Sequence, residues 1–145
     1  MEAKKLSPLE QKINDFIYRY LTTVSFVDKM MFVHHLQIMT KAGLSIITSL
    51  KILSEETENK KLKIIIAEIK SEVEKGQQLS VALGKYPKVF PPVYVSMIAA
   101  GEVAGKLEEA LTEVAGQMKK SHELMSKVRG AMIYPAVIFT VMVGI

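Results

Sequence analysis

The 145-residue chain carries 19 Lys and Arg against 15 Asp and Glu, a net charge of +4, and it contains no Cys. The missing thiols exclude disulfides, thiolate zinc sites and cysteine nucleophiles, and so mild a basic balance lacks the dense positive stripe of a nucleic-acid binder. With 49% apolar and 23% charged residues, the chain reads as a folded domain and not as a disordered segment.

The first predicted helix spans residues 8–21. Ser7 is its cap, Pro8 sits in its first turn, and Leu9, Ile13, Phe16, Ile17, Tyr20 and Leu21 repeat at helical spacing. The β-branched and polar run Thr22 to Ser25 breaks it. A second helix follows over about residues 27–42, with Asp28 in the first turn, Phe32, Leu36 and Met39 on one face, and Gly43 at its end. The third covers about 45–58, with Ile46, Leu50 and Leu53 in register. In the fourth, Leu62, Ile65, Ile66, Ile69 and Val73 make one stripe and Gly76 closes it. A short helix is expected near 80–84.

Pro87, Pro91 and Pro92 then forbid helix interior across residues 86–92, and Pro91 or Pro92 opens the next helix, expected over about 92–100. That helix is predicted to break at Gly101-Glu102-Val103-Ala104-Gly105. The last starts near Lys106 and carries Leu107, Leu111, Val114, Met118, Met125 and Met132 at spacings that share a face. Unbroken to Ile145, it would be about 40 residues and about 60 Å long. No segment alternates in polarity as strands do. The expected fold is therefore all-α, an antiparallel bundle of about six helices whose last helix continues toward a membrane span.

The span is expected because Ala131 to Ile145 holds no charged residue. That run rises about 22 Å as a helix, short of the roughly 30 Å hydrocarbon core, so the chain ends inside the span. Just before it, Lys119, Lys120, Lys127 and Arg129 stand against Glu123 alone. By the positive-inside rule residues 1–130 then lie in the cytoplasm, and the basic cluster faces anionic lipid headgroups. Met1 to Lys12 is polar and charged, unlike a signal peptide. The division expected is a linker or docking helix over 1–25, a cytoplasmic bundle over 26–130, and the start of a transmembrane helix over 131–145. The competing reading is a soluble helical adaptor whose apolar C-terminus is buried core.

Residues suited to catalysis are missing. Adjacent His34 and His35 diverge by about 100° on a helix and cannot chelate one ion together. One is expected at a helix–helix boundary and the other in water, while His122 is expected at the bundle edge. Glu55, Glu56 and Glu58, and Glu108, Glu109 and Glu113, read as solvated faces, and Met39, Met97 and Met118 as core filling. No nucleophile–base pair, metal set or cofactor motif is found, so no enzyme activity, metal or cofactor is expected. Two glycines flanking Glu102 exceed what one turn requires. Gly101 and Gly105 would supply close packing or positive φ, and Glu102 an amide cap.

In order, five motifs carry a family resemblance: Phe32-x-x-x-Leu36 leading to Lys41-Ala42-Gly43-Leu44-Ser45 and Leu50; Gly76-Gln77-Gln78-Leu79-Ser80-x-Ala82-Leu83; Pro87-x-x-Phe90-Pro91; Gly101-Glu102-x-x-Gly105-x-Leu107; and Tyr134-Pro135. From near Phe26 onward the chain resembles the type II secretion system F family, inner-membrane platform proteins of type II secretion and type IV pilus assembly. Ala104 stands where the family often has Ser or Thr, and residues 1–25 match nothing specific.

The resemblance implies a six-helix bundle, often dimeric and without enzymatic activity, on a protein with a second similar cytoplasmic domain and further spans. It implies a platform that couples a hexameric cytoplasmic assembly ATPase to insertion of pilin-like subunits, beside other inner-membrane assembly proteins and membrane lipids. Gly101, Glu102 and Gly105 are expected to shape the bundle in preference to touching a partner. Pro135, lacking an amide for the Ala131 carbonyl, is expected to kink the last helix where it enters the membrane.

Overall fold

Four helix starts are set by side chains that accept a backbone amide. Ser7 pairs reciprocally with Glu10, and Ser25 with Asp28, each a capping box; Ser45 accepts from Thr48 and Asn59 from Leu62. The computed structural model describes residues 7–144 apart from the Arg19 side chain. Residues 1–6 of the expected linker and Ile145 of the expected span lie outside the described residues.

Seven helices are described: α1 (Pro8–Leu21), α2 (Phe26–Lys41), α3 (Ile46–Glu56), α4 (Lys60–Glu74), α5 (Leu79–Gly84), α6 (Pro92–Ala104) and α7 (Leu107–Val143). Among the described residues there is no strand. From α2 to α6 each helix packs on the next, α6 packs on α7, and α7 returns to α2, so six helices close a ring around one core. Leu36, Leu50, Leu62, Ile66, Ile69, Leu79, Leu83, Leu111, Val114 and Met118 are fully buried inside it. Met39 and Met97 pack partly buried against that core. α1 stands outside the ring and touches α4.

α2 and α7 run antiparallel. Gln37, buried in the middle of α2, donates from Nε2 to Thr112 Oγ1 at 3.3 Å, while Phe26 at the start of α2 stacks on His122, ring centroids 6.0 Å apart and 13° from parallel. His122 is thus held half-buried at the bundle edge.

Two expectations about helix ends need correction. α6 runs through Gly101 and Glu102 to Ala104, four residues past the predicted stop. A glycine inside a helix costs only about 1 kcal/mol against Ala, and here its missing side chain admits the neighbouring helix. α3 ends at Glu56, two residues early, where Thr57 turns extended. His35, though exposed, lines a cleft where α2 meets α3 and α4, with Met31, Leu53, Glu56 and Leu62, as expected of one of the pair, and His34 is exposed.

α7 is the longest element, 37 residues or about 55 Å. Its buried residues end at Met118, and residues 123–144 are all exposed. Pro135 lies within the helix without ending it.

Candidate functional site

α5 has six residues and a bare N-terminus, because its cap residue Gln78 makes no side-chain cap bond. Two amides at that end point away from any local acceptor. Glu102, from the last turn of α6, supplies one. Its Oε1 accepts from the Leu79 N–H at 2.6 Å and its Oε2 from the Ser80 N–H at 2.9 Å. A carboxylate at a helix N-terminus gains both from charged hydrogen bonds and from the helix dipole. Leu79 and Ser80 are buried, so these amides have no water to turn to.

The residues around Glu102 fix where it stands. Gly101 is buried, and a Cβ on it would lie 2.3 Å from Ala110 Cβ and 3.1 Å from the Lys106 carbonyl oxygen. No other residue fits that approach of α6 to α7. Gly105 has φ +69°, a left-handed conformation that side chains rarely adopt. It lets the Lys106 N–H turn back to the Gly101 carbonyl at 2.7 Å and the Gly105 N–H to that of Glu102 at 3.2 Å, the paired bonds of a Schellman turn. Leu107 then opens α7 and packs half-buried on the core.

Two motifs that lie 22 and 23 residues apart in sequence therefore meet in one junction of α5, α6 and α7. Gly76 ends α4 just before this junction, and Gly43 ends α2 at its own turn. Phe90, buried, sets its ring 5.5 Å from that of Phe32, and Pro91 is the cap residue of α6. Tyr86 Oη donates to Glu68 Oε2, tying this loop to α4.

The other predicted residues lie far along α7. Lys119, Lys120, Lys127 and Arg129 are exposed between the last buried residue, Met118, and the uncharged run. Tyr134 and Pro135 lie inside that run, and Tyr134 is exposed. Arg129 lines a cleft with Phe26, Val27, His122 and Met125 between α2 and α7. The structure thus divides the predicted residues into a buried junction and an exposed stem.

The partners of Glu102 on α5 were missed by sequence reasoning, as were the Gln37–Thr112 bond and the Phe26–His122 stack. A signal existed for the first: Gln78 is a poor cap, so the helix after it needs an acceptor from elsewhere. Glu55, Glu56 and Glu58 are exposed, as are Glu108, Glu109 and Glu113. Among the described residues, no three His, Asp or Glu converge on one point.

The chain is similar to several known proteins along most of its length. It is 38% identical over 118 residues to the type IV pilus assembly protein PilC of Myxococcus xanthus, an alignment covering 81% of this chain and 28% of that protein. Against the type II secretion system protein F of Aeromonas hydrophila it is 38% identical over 104 residues, 72% of this chain and 27% of the relative. For the protein of that name from Vibrio cholerae the identity is 31% over 122 residues, covering 84% and 30%. The chain thus spans under a third of the length of these relatives. The sequence profile of type II secretion system protein F matches residues 32–145, which include the whole junction and the stem. This chain belongs to the type II secretion system protein F family.

Proposed function

We propose that residues 26–130 form a cytoplasmic bundle of a non-enzymatic inner-membrane platform, and that 131–145 begin its first membrane span. The platform serves a type II secretion or type IV pilus machine and couples a hexameric assembly ATPase in the cytoplasm to insertion of pilin-like subunits from the membrane. The observation that carries this reading is α7, one helix that starts at the Glu102 junction, crosses the core and leaves it with an apolar, uncovered end.

Val137, Ile138 and Val141 are 55, 46 and 56% exposed, and none of the 18-residue apolar window is buried. This speaks against the soluble adaptor, which needs those residues enclosed. Water offers such a surface no home; hydrocarbon does. Four cations just ahead of it suit a negatively charged cytoplasmic leaflet. A continuous helix between bundle and bilayer gives displacement in one a stiff route to the other, as force coupling requires. Gly101, Glu102 and Gly105 act in this reading by setting how α7 leaves the bundle, while the exposed stem meets lipid.

Removing residues 131–145 tests the division. The shortened protein should remain in solution without detergent and unfold in one cooperative helical transition, and it should retain a purified assembly ATPase in a pull-down. Loss of the helical fold on deletion would show that the apolar run was core. A folded fragment that ignores the ATPase would sink the coupling role.

A further inference from the structure

Helix α1 is docked with its polar side inward. Tyr18 and Asn14 are half-buried, the rest of the described side chains of that helix being exposed, and Tyr18 Oη accepts from Lys60 Nζ at 2.6 Å, with the ammonium 4.2 Å from its ring centroid. On the other side Leu9, Ile13, Phe16, Ile17 and Tyr20 form a stripe whose exposures run from 39 to 69%, and Leu21 beside it reaches 77%. A helix that only covered the bundle would turn this stripe to α4. An apolar phase outside the bundle is the missing contact.

The position of α1 identifies that phase. It meets the ring at Lys60, the first residue of α4, and Asn59 beside it donates to the Thr23 carbonyl and to Asp28 Oδ2 at the start of α2. Phe26 in that same turn stacks on His122, about two turns before Arg129, the last charged residue of α7. So α1 joins the end of the bundle from which α7 departs. Phe26 and Val27 on α2, with Met125 and Val128 on α7, are exposed apolar residues at that same end, between α1 and the uncharged run in the order of the fold.

We infer that α1 lies on the lipid surface as an interfacial amphipathic helix, its stripe sunk to the boundary of headgroups and acyl chains and its Tyr18 side held by the bundle. This rests on the membrane reading of α7. A helix with an apolar side opposed to a polar, charged one and low net hydrophobicity binds such a boundary by the apolar area it buries. The bundle would then be held to the bilayer at two points, α7 through it and α1 on it, which fixes its tilt better than one stem does.

The chain contains no Trp, so single tryptophans report without background. Phe16→Trp, Tyr18→Trp and Phe139→Trp are made separately in the whole chain and reconstituted in phosphatidylethanolamine–phosphatidylglycerol vesicles with brominated acyl chains. The expected result is that the tryptophans at 16 and 139 lose most of their emission to bromine while that at 18 keeps it. Quenching at 139 without quenching at 16 overturns the inference and leaves the membrane reading standing. A tryptophan at 16 that is blue-shifted yet unquenched assigns the stripe to a second copy or another protein, and overturns it too. Equal quenching at 16 and 18 also overturns it, because α1 would then be detached from α4. Absence of quenching at 139 removes the membrane reading, and this inference with it.

Discussion

Glu102 Oε1 lies 2.6 Å from the backbone nitrogen of Leu79, so a side chain of α6 completes the first turn of α5. The bond is long in sequence and short in space. It joins the glycine-bounded end of α6 to a helix too short to stabilise itself, since six residues scarcely exceed the nucleus that helix formation needs. Replacing Glu102 by Ala leaves two buried amides without an acceptor, at about 1–3 kcal/mol for each. Glu102→Gln keeps one acceptor oxygen and loses the charge, so it should fall between. Thermal unfolding in detergent ranks the three proteins, and amide exchange at Leu79 and Ser80 should accelerate ahead of the rest of the bundle in Glu102→Ala.

Gly101→Ala sets two effects against each other. In an exposed helix interior the change would gain about 1 kcal/mol of helix propensity. Here the new methyl meets Ala110 Cβ at 2.3 Å and the Lys106 carbonyl at 3.1 Å, both on backbone-anchored atoms that cannot swing aside. Forced overpacking costs about 1–3 kcal/mol, so destabilisation wins. Adding Ala110→Gly removes the first clash and leaves the second, and denaturant melts of the double variant should recover part of the loss. Full recovery, or no loss in the single variant, would contradict the close approach.

At the other end of α5, its cap residue Lys85 holds the Glu72 carboxylate of α4 below its ordinary value of 4.5, first by a hydrogen bond and then by its charge, with Lys75 adding to both. A folded-state value below the unfolded one favours the folded protein above pH 4.5, and the benefit disappears as pH falls through the lowered value. Glu72→Gln should therefore be less stable than the parent near neutrality, with the difference closing in acid. Salt should narrow it as well, since both partners touch solvent. Melting temperatures of the two proteins across pH and salt give the comparison; a gap that widens in acid would reverse the sign argued here.

The helical bundle was legible because its pattern is strong. Ser7 stands at an actual start, Gly43 and Gly76 follow actual ends, and the Leu62, Ile65, Ile66, Ile69 stripe is the buried side of α4. Local rules failed where tertiary contact decides. Gly101 reads as a helix stop, yet α6 continues because Ala110 needs that gap. Glu102 was visible as a capping group, but no spacing rule pairs it with a helix 22 residues earlier. For α1 the stripe was read correctly, and its outward direction was not, since amphipathicity says how residues divide and not which side meets the bundle. Fluorescence at Phe16 speaks to that direction; the stem itself has one more internal control.

Pro135 removes the amide that would bond the Ala131 carbonyl, inside a helix that nevertheless continues to Val143. Its surroundings are exposed, so no bundle contact depends on it. Pro135→Ala should then leave the unfolding of residues 26–118 unchanged while adding helical hydrogen bonding within the lipid-facing part. The expected consequence is geometric: a straighter α7 carries the bundle at a different angle to the bilayer. Spin labels on the exposed Val81 and Val103, read by their distance from the lipid surface in reconstituted vesicles, should shift together in the variant. If both keep the parent depth, Pro135 does not set the angle. A shift of the label positions accompanied by an altered melting transition would place its effect in the bundle instead of in the stem.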